Sequence, residues 1–142
     1  LLTERQQMYA VLSESHPLAG QETLRLRDCL EYPIALPTKS YGVRYLMETA
    51  LVESTLTLDP VIESDSFEFL RNHALVEGVI SFQIPIGLPT EDIPKGSVAR
   101  PIDSRDVPAG LIYFGQLRGR TLPVAVARFA DQITKVLQVR YP

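Results

Sequence analysis

The chain has 142 residues, of which 45% are hydrophobic and 22% charged, with a formal net charge of −3. Such a composition excludes a disordered chain, and the length suits one domain, or one small domain plus a fragment of another. The slightly acidic balance and the lack of any Lys/Arg-rich run argue against direct nucleic-acid binding by this segment.

The run Met8-Tyr9-Ala10-Val11-Leu12 reads as a strand, broken by His16-Pro17-Leu18-Ala19-Gly20. A short helical turn is expected over 24–31, ending near Pro33. Its thiol, Cys29, is the single cysteine of the chain. No intramolecular disulfide is possible, a reducing compartment is suited, and a half-buried structural role is expected. Pro33-Ile34-Ala35-Leu36-Pro37 reads as a short buried strand. Next, Val43, Leu46, Met47, Ala50 and Leu51 share one helical face, and Ser40 or Thr38 is expected to cap that helix. Thr57-Leu58-Asp59-Pro60 ends the unit, and Val61-Ile62-Glu63-Ser64 begins another strand.

A second helix is predicted from Asp65 to Glu77, with Asp65 and Glu68 at capping-box spacing and Gly78 as its stop. It carries two apolar stripes, Phe67/Leu70/Ala74 and Phe69/His73/Val76, on roughly opposite sides. Either it is sandwiched within its own domain, or one stripe meets a partner subunit. Val79–Pro85 reads as a buried strand. Residues 88–96 read as a loop or a helix broken at Pro94. Ser97–Ile102 is predicted to be an edge strand and Gly110–Gly115 another strand. The last helix is expected from Leu122 to Arg140, with Pro123 in its first turn and Val126, Phe129, Ala130, Ile133 and Leu137 on its apolar face. Strands alternating with helices predict an α/β fold with a parallel or mixed sheet.

In such sheets ligands bind at the carboxyl ends of strands, beside helix N-termini. The loop Pro37-Thr38-Lys39-Ser40-Tyr41-Gly42 occupies that place. Two hydroxyls, one cation and the free amides of the following helix suit a small carboxylate. The plain alternative is ordinary capping plus a turn. Catalytic patterns are missing: neither His16 nor His73 has a metal-ligand neighbour at the right spacing, and no nucleophile elbow, Walker or dinucleotide motif occurs. Helix capping accounts for the carboxylates Glu63, Asp65 and Glu68. No metal and no cofactor is expected. No apolar run approaches the ~20 residues of a membrane span, and no signal-peptide pattern is present.

The order of these segments resembles the effector-binding domain of LysR-type transcription regulators. The resemblance is carried by the strand and turn through His16-Pro17-Leu18-Ala19, the segment Leu24–Leu30, the Pro33–Pro37 strand and the Gly42-Val43-Arg44 helix start. Glu63–Phe67 with Leu70-Arg71-Asn72, the Val79–Pro85 strand, Arg118-Gly119-Arg120 and the helix containing Phe129 complete it. The family's usual Gly-x-Gly before the buried strand is here Gly78-Val79-Ile80, and a Pro-rich loop follows Gly87 where many relatives have a helix.

The resemblance implies a two-lobed, periplasmic-binding-protein-like (type II) α/β fold. Residues 9–106 would form one regulatory lobe, and residues 107–142 a strand and helix of the other, with the rest of that lobe and the DNA-binding domain absent. It also implies a small-molecule effector, an organic acid, bound between the lobes by Thr38, Lys39, Ser40, Tyr41, Gly42, Ser66, Gln83, Ile84 and Pro85. Gln83 has a plain alternative, a backbone hydrogen bond at the hinge. A homodimer or tetramer would form through helix Asp65–Glu77, DNA would be bound only by the N-terminal domain, and the protein would be cytoplasmic and not an enzyme. A periplasmic-type solute-binding protein and an enzyme of related fold are the alternatives. An upstream signal peptide would mark the first; the second would need catalytic residues beyond this segment.

Overall fold

The computed structural model describes residues 2–88 and 93–140. The chain divides into two compact units, Gln6–Gly110, and Leu111–Pro142 with Leu1–Arg5. They are described separately.

The larger unit is a mixed sheet with helices on both faces. Its strands are β2 (Tyr9–Ser13), β3 (Ile34–Leu36), β4 (Ile62–Glu63), β5 (Ile80–Gln83) and β6 (Ser97–Pro101), in the order β4-β3-β5-β2-β6. β3 runs parallel to β4 and β5, whereas β2 is antiparallel to β5 and β6. β6 is thus the edge strand that the sequence predicts. Side chains alternate across a strand, so Ile34, Leu36, Ile80 and Phe82 share a face. All four are buried, in one cluster with Ala10, Leu12, Leu26, Cys29, Val43 and Met47. The last four belong to α1 (Leu26–Cys29) and α2 (Gly42–Ala50). Full burial of each large aliphatic or aromatic side chain here is worth about 1.5–3 kcal/mol. α3 (Phe67–Glu77) packs against β2, β3 and β5, and Leu70 joins Ala35 and Val79 in a second cluster.

Several expectations are corrected at helix ends. Neither Ser40 nor Thr38 caps α2; the cap position is Tyr41, with no side-chain hydrogen bond to the helix. α3 begins at Phe67, not Asp65, and Ser66 is its cap, its hydroxyl accepting from the Phe69 amide at 3.2 Å. The Asp65/Glu68 capping box is therefore not formed: Asp65 lies one residue too early. Cys29 is fully rather than half buried. A single 3-10 turn, Pro85–Gly87, follows β5. Pro89–Asp92, within the segment read as a loop or broken helix, lie outside the described residues. The start of α1 is tied to the segment after β6, because Asp106 accepts from the Arg25 guanidinium at 2.8 and 2.9 Å and from the Leu26 amide at 2.9 Å.

In the smaller unit β1 (Leu2–Gln6) pairs with β7 (Gly110–Phe114), and α4 spans Val124–Arg140. Pro123 precedes α4, its carbonyl accepting from the Ala127 amide. The helix buries none of its residues. Phe129 is 62% exposed although it heads the apolar face.

Candidate functional site

The parallel strands β4, β3 and β5 end on one edge of the larger unit, and the predicted site residues sit there. Pro37, buried, leads from β3 into the loop before α2. Thr38 is half-buried, and Lys39 and Ser40 are exposed. The turn is closed by the Tyr41 amide on the Thr38 carbonyl at 3.1 Å. Because no side chain caps α2, the first-turn amides at Gly42, Val43 and Arg44 have neither an intrahelical nor a capping partner among the described residues. They are a concentration of donors at the positive end of a helix dipole.

From β4 the chain brings Asp65 and Ser66 to the same place. The Thr38 hydroxyl donates to Asp65 Oδ1 at 2.5 Å and lies 3.2 Å from the Ser40 hydroxyl. The Tyr41 ring meets the Phe67 ring edge-on, with centroids 5.3 Å apart. The loop before α2 and the N-terminus of α3 are thus one cluster.

Beneath the loop lies Arg44, with a side chain only 4% exposed. Its guanidinium donates to the Pro37 carbonyl (3.1 Å), Glu63 Oε1 (3.1 Å) and Glu48 Oε1 (2.9 Å). Burial works against its charge, but the two carboxylates more than offset that and raise its pKa. Arg44 therefore ties the loop to β4 and to α2.

Gln83 ends β5 on the α3 side. It is buried, donates to the Phe67 carbonyl at 3.0 Å and accepts from Arg71 at 3.2 Å. Its amide is engaged by α3, so it holds that helix's start in place rather than facing outward. Ile84 packs on the main core, and Pro85 opens the 3-10 turn.

A family model described as LysR substrate binding domain matches residues 2–138. The chain belongs to that family. Solved LysR-family structures share its fold. The HinK regulator from Pseudomonas aeruginosa has a TM-score of 0.72 at 23% identity, over 96% of this chain and 47% of its own. The effector binding domain of QuiR, in complex with shikimate, has a TM-score of 0.75 at 17% identity, over 98% and 65%. The Synechocystis CcmR regulatory domain, in complex with 2-PG, has a TM-score of 0.70 at 18% identity, over 94% and 64%. The chain thus spans about half of HinK and just under two thirds of the other two. No curated protein matches it. The architecture is the periplasmic-binding-protein-like type II fold expected of the LysR family.

The two histidines lie away from the loop cluster. His16 is buried beyond the carboxyl end of β2, where it lines a shallow cleft of about 360 Å³ with Ser13, Tyr32 and Leu75. Its Nδ1 accepts from the Leu18 amide at 3.1 Å, and Nε2 has no hydrogen-bond partner among the described residues. Burial lowers its pKa. His73 stacks on Phe69, centroids 5.6 Å apart, on the outer side of α3. Among the described residues there is no metal-binding cluster and no helix long and apolar enough to cross a membrane. Sequence reasoning missed Asp65 and Arg44 as parts of the site. The Arg44/Glu48 spacing of four residues was the available signal for the second.

Proposed function

We propose that this LysR-family chain is the effector-sensing part of a bacterial transcription regulator. A small organic acid would be bound by the loop Thr38–Gly42 with Ser66, Ile84 and Pro85, while Gln83 positions the α3 side. The observation that carries this reading is the N-terminus of α2, whose first-turn amides no side chain among the described residues caps, beside Lys39 at the carboxyl ends of parallel strands. Oriented backbone donors of this kind favour an anion without any further cation. The likeness in fold to QuiR and CcmR, each solved with a small molecule, supports the same use.

The larger unit would be one nearly complete regulatory lobe, and the smaller one would supply a strand and helix of a second. Effector binding would favour one orientation of the two lobes, since a ligand shifts only an equilibrium whose states it binds unequally. The outer side of α3, where Phe69 is 48% exposed and His73 stacks on it, suits pairing with a second subunit as a homodimer or tetramer. DNA would be contacted by a separate N-terminal domain in the cytoplasm, and the chain would catalyse no reaction. The test is the coding sequence directly upstream of Leu1. A helix-turn-helix followed by a linker helix supports the regulator; a signal peptide transfers the reading to a solute-binding protein.

A further inference from the structure

Resting on that reading of the loop, the direction of its hydrogen bonds narrows the class of effector. A carboxylate only accepts, so the single Thr38 proton is committed to Asp65. The 3.2 Å contact between Thr38 and Ser40 must then be donated by Ser40. Both protons run one way, from Ser40 to Thr38 to Asp65. Through these atoms the loop presents lone pairs and an exposed carboxylate, whereas the donors for an anion come from the α2 amides and Lys39.

We infer that the effector is an organic acid bearing a hydrogen-bond donor, a hydroxyl or an ammonium, near its carboxylate. Its carboxylate takes the amides of α2 and its donor takes Asp65 with Thr38. A second anionic group in the same place meets a like charge, and a hydrocarbon group gives Asp65 no donor beyond the one it has from Thr38. One charge-assisted hydrogen bond to an exposed carboxylate corresponds to about tenfold in affinity.

The experiment is a residue-resolved amide titration of the chain by NMR with three probes: shikimate, cyclohexene-1-carboxylate, and the same ring acid bearing one amino group. The expected result is that the hydroxylated and amino acids shift the amides of Lys39–Gly42 and Asp65–Ser66 with a Kd about tenfold below that of the plain acid. Asp65→Asn still accepts from a hydroxyl but has lost its charge, so it retains preference for shikimate and loses preference for the amino acid. Asp65→Ala loses both, and its unliganded spectrum checks the fold. If the plain acid shifts the same amides with equal Kd, the inference is overturned while the site stands. If no probe shifts the loop amides, or shifts appear only elsewhere, the site reading falls and the inference with it.

Discussion

Replacing Arg44 by methionine separates a structural tether from a surface ion pair. The Arg44 side chain is 4% exposed, whereas its carboxylate partners Glu48 and Glu63 are 48% and 44% exposed. On removal of the guanidinium both carboxylates return to water, so each broken ion pair costs only about 0–1 kcal/mol. The Pro37 carbonyl, in a buried residue, has no such recourse. Leaving it without a donor costs about 1–3 kcal/mol. The expected loss for Arg44→Met is therefore about 1–5 kcal/mol. Arg44→Lys keeps the charge but cannot serve three acceptors as the planar fork does, and loses about half as much. Urea unfolding followed by circular dichroism measures both. A value for Arg44→Met within about 0.5 kcal/mol of the parent, the range of an ordinary surface substitution, would refute the tether.

Three further outcomes follow from buried or exposed groups. His16 has its pKa lowered by burial, so the unfolded chain binds its proton first as pH falls. Its contribution is complete above the ordinary value of 6.5 and is lost as pH drops below it towards the folded pKa. His16→Asn keeps an acceptor for the Leu18 amide, so its melting temperature falls less than the parent's between about pH 7 and 5; equal slopes contradict this. Burial, with Asp28 and Asp106 nearby, pushes the Cys29 thiol up to about 12. It should not react with a thiol reagent at pH 8 until denaturant is added, and rapid labelling of the folded chain would be inconsistent with that burial. Phe129 at 62% and Val136 at 57% exposure should bind a hydrophobic dye or a second copy, and Phe129→Lys with Val136→Lys should reduce that signal. A monomeric parent with no dye binding contradicts it.

How far the sequence discloses this molecule depends on how local each signal is. The stripe through Val43 and Met47 marked α2 and its buried face, and the apolar runs marked β2, β3 and β5. β1 escaped notice because Leu2–Gln6 is polar and its partner β7 lies more than a hundred residues away. The start of α3 was displaced because Asp65 and Ser66 are both good capping residues, and only the backbone decides between them. Once Ser66 caps the helix, Asp65 is free to accept from Thr38, a contact across 27 residues that no local pattern contains. Gln83 was conspicuous as a polar residue in an apolar strand. That its amide turns to the Phe67 carbonyl and Arg71 depends on how α3 packs on the sheet.

The central claim is that the loop before α2 receives the effector. The direct measurement is the thermal stabilisation that an organic acid confers on a chain carrying both lobes, compared between the parent and Thr38→Val with Ser40→Ala. Without ligand the double variant should melt close to the parent, because Ser40 is exposed and Thr38 half-buried. Stabilisation by the acid should be reduced in the double variant, which loses the two loop hydroxyls and keeps the α2 amides, Lys39 and Asp65. Stabilisation that persists unchanged would place the effector elsewhere.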